Sequence, residues 1–156
     1  VSLAYYLPHS HVWAVDISHE ALVVAMENAR RCKVEERIDF VCGDLFSPLK
    51  EGAMFDIIVS NPPYISENEY MLLAPEVKKE PYRALCGGKD GLDYYRAIGG
   101  LAPSYLAEGG LLFLEIGWRQ GSPVNEILRQ NKFRDIKIIK DRAGNERVIL
   151  GKKSSE

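Results

Sequence analysis

The chain has 156 residues, and 46% of them are hydrophobic, which is enough for one core but too few residues for two domains of ordinary size. We therefore expect residues 1–156 to form a single domain. The 20 Lys and Arg residues nearly balance the 22 Asp and Glu residues. This balance argues against the strong basic field by which some proteins hold nucleic acid without sequence preference.

The cysteines and the hydropathy pattern further restrict the class of protein to which the chain can belong. Cys32, Cys42 and Cys86 lack the spacing of a zinc knuckle or a redox pair, and their odd number does not suit a closed disulfide framework. No stretch approaches the roughly 18 apolar residues that span a bilayer. The sequence predicts a cytoplasmic protein with reduced thiols, no membrane partner and no metal site.

The first half of the chain predicts short strands that end in polar residues. Residues 1–7 resemble the last turns of a helix already under way. Val12–Asp16 is an apolar run that ends in an acid, as in a strand buried on both faces of a parallel sheet. Ser18 then offers an N-cap to a helix. Its predicted buried face holds Leu22, Ala25, Ala29 and Cys32.

Two more strands are predicted before the middle of the chain. Residues 37–41 run into Gly43-Asp44, and Phe55–Ser60 runs into Asn61-Pro62-Pro63-Tyr64. Scattered proline and glycine over residues 65–93 then indicate an active-site loop region that carries one short helix.

The second half predicts regular elements again. A helix over residues 94–106 is expected to end at Gly109-Gly110, followed by a strand over 111–116 and a helix over 120–131. Strands over 133–139 and 147–150 are separated by a connection that suits an antiparallel hairpin. Together the elements predict an α/β fold, a Rossmann-like three-layer sandwich with a mainly parallel sheet and a C-terminal antiparallel hairpin.

Ligands of an open parallel sheet bind at the carboxyl ends of its strands, where this chain places Asp16, Asp44 and Asn61. Asp16 suits both ribose hydroxyls of a nucleoside cofactor, at about 1.5–3 kcal/mol for each charge-assisted bond. The alternative is that Asp16 only caps the following helix. Asp44 suits an adenine amino group with Leu45 against the ring face, or else it belongs to an ordinary Gly-Asp turn.

The strongest motif is the Asn-Pro-Pro-Tyr segment (residues 61–64). A residue before proline is extended, so Asn61 continues the strand. The two prolines fix two φ angles and remove two backbone donors, which leaves the carbonyls of Asn61 and Pro62 as acceptors in a stiff turn. The alternative is a plain Pro-Pro turn.

That segment fits methyl transfer to a flat nitrogen. An amide or aromatic amino nitrogen is a weak nucleophile because its lone pair is delocalised. The Asn61 side-chain oxygen and the Pro62 carbonyl can hold both N–H hydrogens and aim the lone pair at a methyl donor. Such positioning can supply as much as about 7–11 kcal/mol of a barrier. Tyr64 can stack on the flat group and exclude water.

At this point the sequence resembles the release-factor glutamine N5-methyltransferases, the HemK or PrmC family, over nearly its whole length. The segments that carry the resemblance are Ala14-Val15-Asp16-Ile17-Ser18, Glu27-Asn28-Ala29, Gly43-Asp44, Ile58-Val59-Ser60-Asn61-Pro62-Pro63-Tyr64-Ile65, Glu80-Pro81 with Ala84-Leu85, Gly87-Gly88-Lys89-Asp90-Gly91-Leu92, Leu114-Glu115-Ile116-Gly117 with Gln120, and Asp141 with Arg147.

The resemblance implies methyl transfer from S-adenosylmethionine to a glutamine side-chain amide in the Gly-Gly-Gln loop of a peptide chain release factor. The implied cofactor-binding residues are Asp16, Asp44, Leu45 and Asn61. Asn61, Pro62, Pro63 and Tyr64 would bind the substrate glutamine, with Asn61, Pro62 and Tyr64 as the catalytic residues. Glu115 and Gln120 either shape the substrate pocket or, for Glu115, cap the next helix.

The sequence departs from the family in two respects. Family members usually carry an amino-terminal helical domain and an Asp-x-Gly-x-Gly-x-Gly-like loop after a first strand, and neither is found in these 156 residues. The chain is therefore expected to be an amino-terminally truncated catalytic domain that lacks the first strand and its cofactor loop. The strands Val12–Asp16 and Phe55–Ser60 would then carry unpaired edges.

Two other functions remain open from the sequence. A DNA or RNA amino-methyltransferase acting on adenine N6, cytosine N4 or guanine N2 would use the same nitrogen geometry, although a flipped base would need a basic groove that the sequence does not show. The other is an inactive fragment that still binds a release factor.

Overall fold

The computed structural model describes residues 1–50 and 52–154. The chain divides into two compact units, Val1–Glu51 and Gly52–Glu156. Among the residues described, no helix is both long enough and apolar enough to cross a bilayer.

The first unit consists of a two-stranded parallel sheet with helices. Its elements are α1 Ser2–Tyr6, β1 Val12–Asp16, α2 His19–Arg31, a 3₁₀ turn Glu35–Arg37 and β2 Ile38–Cys42. The parallel register runs from Val12 opposite Ile38 to Asp16 opposite Cys42. The predicted strand over 37–41 is thus displaced by one residue, because the 3₁₀ turn occupies Arg37.

The predicted start of α2 is confirmed, and one residue of its predicted face is wrong. The Ser18 hydroxyl accepts the Ala21 N–H at 3.1 Å as the N-cap. Leu22 and Ala29 are buried, but Cys32 is exposed. The helix ends at Arg31 and the chain turns through Lys33 at a φ of 56°. The buried cluster with Ala29 therefore contains Val34 instead of Cys32.

The second unit consists of a four-stranded mixed sheet with helices. Its elements are β3 Phe55–Ser60, α3 Glu67–Leu72, a 3₁₀ turn Val77–Lys79, α4 Tyr82–Leu85, α5 Asp93–Tyr105, β4 Leu106–Glu115, α6 Gly121–Gln130, β5 Phe133–Lys140 and β6 Glu146–Lys153. The strand order is β3-β4-β6-β5. β3 and β4 are parallel, whereas β6 runs antiparallel to both β4 and β5. The α/β class and the C-terminal hairpin are confirmed.

The prediction that Gly109-Gly110 ends a helix is wrong, because both glycines lie within β4. β4 already begins at Leu106, where the predicted helix was expected to continue. Phe55 pairs with Leu106 but Ile57 pairs with Leu111, so β4 bulges between these pairs. Gly109 has a φ of 72°, a conformation that favours glycine.

The core of this unit lies on one face of the sheet. Leu112, Leu114 and Ile149 are fully buried there, and the helices contribute Tyr95 from α5 and Leu128 from α6. On β3 the alternate residues Ile57 and Val59 are about half exposed. Among the described strands, β1 pairs with β2 alone and β3 with β4 alone, so each has one edge without a strand partner.

Candidate active site

In the first unit the structure brings Asp16 next to the turn that follows β2. The Asp16 carbonyl accepts the Gly43 N–H at 3.0 Å, and its carboxylate Oδ1 accepts the Ser18 N–H at 2.8 Å. Ser18, not Asp16, caps α2, so the helix-cap alternative for Asp16 is wrong. The Asp16 side chain is exposed, and its Oδ2 has no hydrogen-bond partner within residues 1–50 and 52–154.

The turn after β2 is strained at Leu45. Leu45 has a φ of 47°, which costs a non-glycine residue about 1–2 kcal/mol. The turn is closed by the Ser47 N–H, which donates to the Asp44 carbonyl at 2.9 Å. A Cβ on Gly43 would lie 2.6 Å from the Pro48 ring, so the close approach requires glycine. Strained residues of this kind cluster at functional sites.

In the second unit the Asn-Pro-Pro-Tyr segment leaves the end of β3. Asn61 is exposed, Pro62 is buried, and Pro63 and Tyr64 are half-buried. The residues lie outside regular secondary structure, as two consecutive prolines require. The Asn61 side chain is therefore exposed to solvent, while the three residues that follow it are packed against the protein.

A glycine-rich loop over residues 87–91 packs against this segment. The Gly87 N–H donates to the Ile65 carbonyl at 2.8 Å. A Cβ on Gly87 would lie 2.6 Å from the Pro63 carbonyl oxygen, and one on Gly91 would lie closer still to that of Tyr64. Sequence reasoning placed this loop in the active-site region but missed its contact with the segment.

The 87–91 loop is itself tied to α5. Arg96 binds both carboxylate oxygens of Asp90, with Nη1 to Oδ1 at 3.0 Å, and the Leu92 N–H donates to the same Oδ1 at 3.1 Å. The Arg96 guanidinium and these bonds hold the pKa of Asp90 below its usual value. Because the pair is bidentate, it fixes the orientation of the Asp90 carboxylate as well as its position, and so restrains the loop.

The side chain of Gln120 connects the segment to the end of β4. Its Nε2 donates to the Tyr64 carbonyl at 2.9 Å and to the Gly91 carbonyl at 3.3 Å. Its Oε1 accepts the Gly117 N–H at 2.9 Å and the Tyr95 hydroxyl at 3.2 Å. Sequence reasoning left the role of Gln120 open and missed Tyr95, since neither bond joins neighbours in the chain.

Tyr95 and Glu146 complete the surroundings. Tyr95 is fully buried, and its single hydroxyl hydrogen is shared between Gln120 Oε1 and the Glu115 carbonyl, which lies 3.0 Å from the hydroxyl oxygen. Burial raises the pKa of the Tyr95 phenol, which keeps it a donor. The carboxylate at the start of α6 belongs to Glu146, which accepts the Gly121 N–H at 3.1 Å. The helix-cap alternative for Glu115 is therefore wrong.

Replacing Gly91 by alanine is expected to destabilise the protein more than replacing Gly144. Both glycines have positive φ, of 75° and 87°, so both variants carry about 1–2 kcal/mol of backbone strain. Only Gly91 also meets the Tyr64 carbonyl, whereas nothing lies within 4 Å of the added methyl at Gly144. Urea denaturation of the two variants checks this, and equal midpoints would contradict the close contact.

Comparisons with known proteins agree on the type of domain. A family model described as an RMKL-like methyltransferase domain matches residues 4–70. A methyltransferase from Pyrococcus furiosus superposes with a TM-score of 0.73 over 99% of this chain and 68% of that chain, at 21% identity. The release-factor-specific protein-(glutamine-N5) methyltransferase of Alicyclobacillus acidocaldarius gives a TM-score of 0.52 over 99% of this chain and 88% of its own, at 23% identity. These structures show a shared fold.

Sequence relatives carry the comparison further. Release factor glutamine methyltransferases from Fusobacterium nucleatum and Aquifex aeolicus are 43% and 42% identical over 99% and 95% of this chain. The one from Moorella thermoacetica is 43% identical over 100% of it. This chain covers 44%, 52% and 55% of these three relatives, so it spans about half of their length. Over nearly its whole length the chain is similar in sequence to release factor glutamine methyltransferases, and it shares the α/β fold of the methyltransferase structures.

Proposed function

We propose that the protein transfers a methyl group to the side-chain amide nitrogen of a glutamine in a peptide chain release factor. The observation that supports this most is the 41–43% identity to release factor glutamine methyltransferases over nearly the whole chain. A cytoplasmic location remains a prediction.

We propose S-adenosylmethionine as the cofactor, which supplies a sulfonium-bound methyl group when it binds. Asp16 suits the ribose, because its carboxylate is exposed and Oδ2 lacks a partner among the described residues. The bond from Ser18 N–H to Oδ1 fixes the orientation of that carboxylate. Asp44 and Leu45 are assigned to the adenine, with the exposed Asp44 carboxylate towards its amino group. Asn61 is assigned to the cofactor side as well as to the substrate.

The Asn-Pro-Pro-Tyr segment is assigned to the substrate amide. Asn61 Oδ1 and the Pro62 carbonyl accept the two N–H hydrogens, which turns the nitrogen lone pair towards the incoming methyl. Pro63 keeps the Pro62 carbonyl in place, since its ring fixes φ. Tyr64 covers the flat amide and excludes water. Bound S-adenosylmethionine would supply the methyl group, and the amide nitrogen would give up one of its two protons in exchange, which leaves to solvent after the transfer.

The substrate assignment is tested with the full-length gene product, methyl-labelled S-adenosylmethionine and a release factor. Label on the wild-type release factor and none on a variant with alanine for the glutamine of its Gly-Gly-Gln loop is the expected result. Label on DNA or RNA with none on the release factor would establish the nucleic-acid alternative instead. No label on any of them would indicate the inactive, binding-only alternative.

Asn61→Ala is expected to abolish turnover and to leave the affinity for S-adenosylmethionine within several-fold, because the lost acceptor orients the amide in the transition state. Asn28→Ala, on the exposed face of α2, is the matched control and should keep wild-type turnover. Steady-state kinetics and cofactor titration measure the two effects. Unchanged turnover in Asn61→Ala would remove Asn61 from its assigned role.

Asp16→Asn should weaken the binding of S-adenosylmethionine by about 10- to 100-fold, since a charge-assisted bond is worth about 1.5–3 kcal/mol. The amide oxygen can still accept the Ser18 N–H, so the local turn is kept. Asp39→Asn, which changes an exposed acid on the neighbouring strand β2, is the control. Calorimetric titration measures the affinity of both variants for S-adenosylmethionine, and equal affinities would contradict the ribose assignment.

A further inference from the structure

We infer that Gln120 is a positioning residue for the Asn-Pro-Pro-Tyr segment. Its side-chain amide holds the Tyr64 carbonyl and thereby keeps the acceptors of Asn61 and Pro62 in one arrangement. The inference rests on the proposed function, because it concerns the same nitrogen methyl transfer. Gln120 acts through Tyr64 and not on the reacting atoms.

The bonding of Gln120 uses all the capacity of a primary amide. An amide has two N–H donors and one oxygen with two lone pairs. The donors bind the carbonyls of Tyr64 and Gly91, and the oxygen binds the Gly117 N–H and the Tyr95 hydroxyl. Each of these partners comes from a different segment of the chain. Gln120 therefore has a single orientation that satisfies all four.

No similar side chain can make these bonds. A carboxylate has no donor, so a glutamate would place negative oxygens against the carbonyls of Tyr64 and Gly91. Methionine keeps nearly the same length but neither donates nor accepts strongly. The Gly117 N–H selects the amide oxygen, and the two carbonyls select the amide nitrogen.

The prolines explain how a bond at Tyr64 can control Asn61. Pro62 and Pro63 have fixed φ, so few rotatable backbone angles remain between the end of β3 and Tyr64. The first end of the segment is held by pairing of Ser60 with Leu114. The second end is held by Gln120 at the Tyr64 carbonyl and by the Leu85 carbonyl, which accepts the Ile65 N–H at 3.0 Å. With both ends fixed, the acceptors between them have little freedom.

The proposed reaction is sensitive to the position of the Asn61 and Pro62 acceptors. A delocalised nitrogen lone pair must face the methyl group in line, and a misplacement of about 1 Å can lower the rate about 100-fold. Releasing one end of the segment should therefore lower kcat while leaving contacts made by the rest of the release factor intact. A residue needed only for stability would not separate kcat from KM in this way.

The test is Gln120→Glu in the full-length gene product, with Gln130→Glu in the exposed last turn of the same helix as the control. We expect kcat for release factor methylation to fall by about 10- to 100-fold in Gln120→Glu, with KM and cofactor affinity changed by less than about threefold. Hydrogen exchange of the Ile65 and Glu67 amides should rise by about tenfold. The control should change none of these quantities.

Exchange is measured without substrate, so it separates the two proposals. If the wild-type protein labels no release factor, the proposed function fails, and the exchange rates still show whether Gln120 holds the segment. Unchanged exchange at Ile65 and Glu67 or an unchanged kcat in Gln120→Glu would overturn the inference. Should that variant fail to fold, Gln120→Met, which removes the donors without adding charge, is expected to give the same changes and is judged by the same criteria.

Discussion

The candidate site depends on the direct packing of backbone against backbone at the Asn-Pro-Pro-Tyr segment. The carbonyls of Pro63 and Tyr64 lie so close to Gly87 and Gly91 that neither glycine leaves room for a side chain. Such packing brings polar groups together without the solvent that would normally satisfy them, so each needs a partner from the protein. The Gly87 N–H donates a hydrogen bond to the Ile65 carbonyl, and the Gln120 side-chain amide donates to the carbonyls of Tyr64 and Gly91.

The same constraint accounts for features of the chain that otherwise look unrelated. The loop over residues 87–91 must hold its shape, which explains the bidentate pair between Asp90 and Arg96. Gln120 must approach from the end of β4, which explains why the buried Tyr95 reaches both the Gln120 oxygen and the last carbonyl of that strand. A rigid support suits the proposed methyl transfer to a weak nitrogen nucleophile, because orientation contributes more to such a reaction than acid or base groups would.

Sequence reasoning recovered the features that depend on local pattern and missed those that depend on distant contacts. The bounds of β1 and β3, the Ser18 cap and the C-terminal hairpin follow from periodicity and from capping and turn residues, and these were predicted. The bulge at Gly109-Gly110 was read as a helix end, since a pair of glycines favours both. The bonds of Gln120 to Tyr64 and Tyr95 span 56 and 25 residues, and no local pattern encodes them.

Leu45 shows the opposite relation between sequence and local structure. A turn that requires a φ of 47° would be more stable with glycine or asparagine, which adopt this conformation readily. The sequence has leucine there, although backbone preference disfavours it by about 1–2 kcal/mol. Its neighbour Phe46 is buried, and Leu45 itself is half-buried. The half-buried Leu45 side chain beside the exposed Asp44 carboxylate suits the proposed contact with a purine ring that carries an amino group.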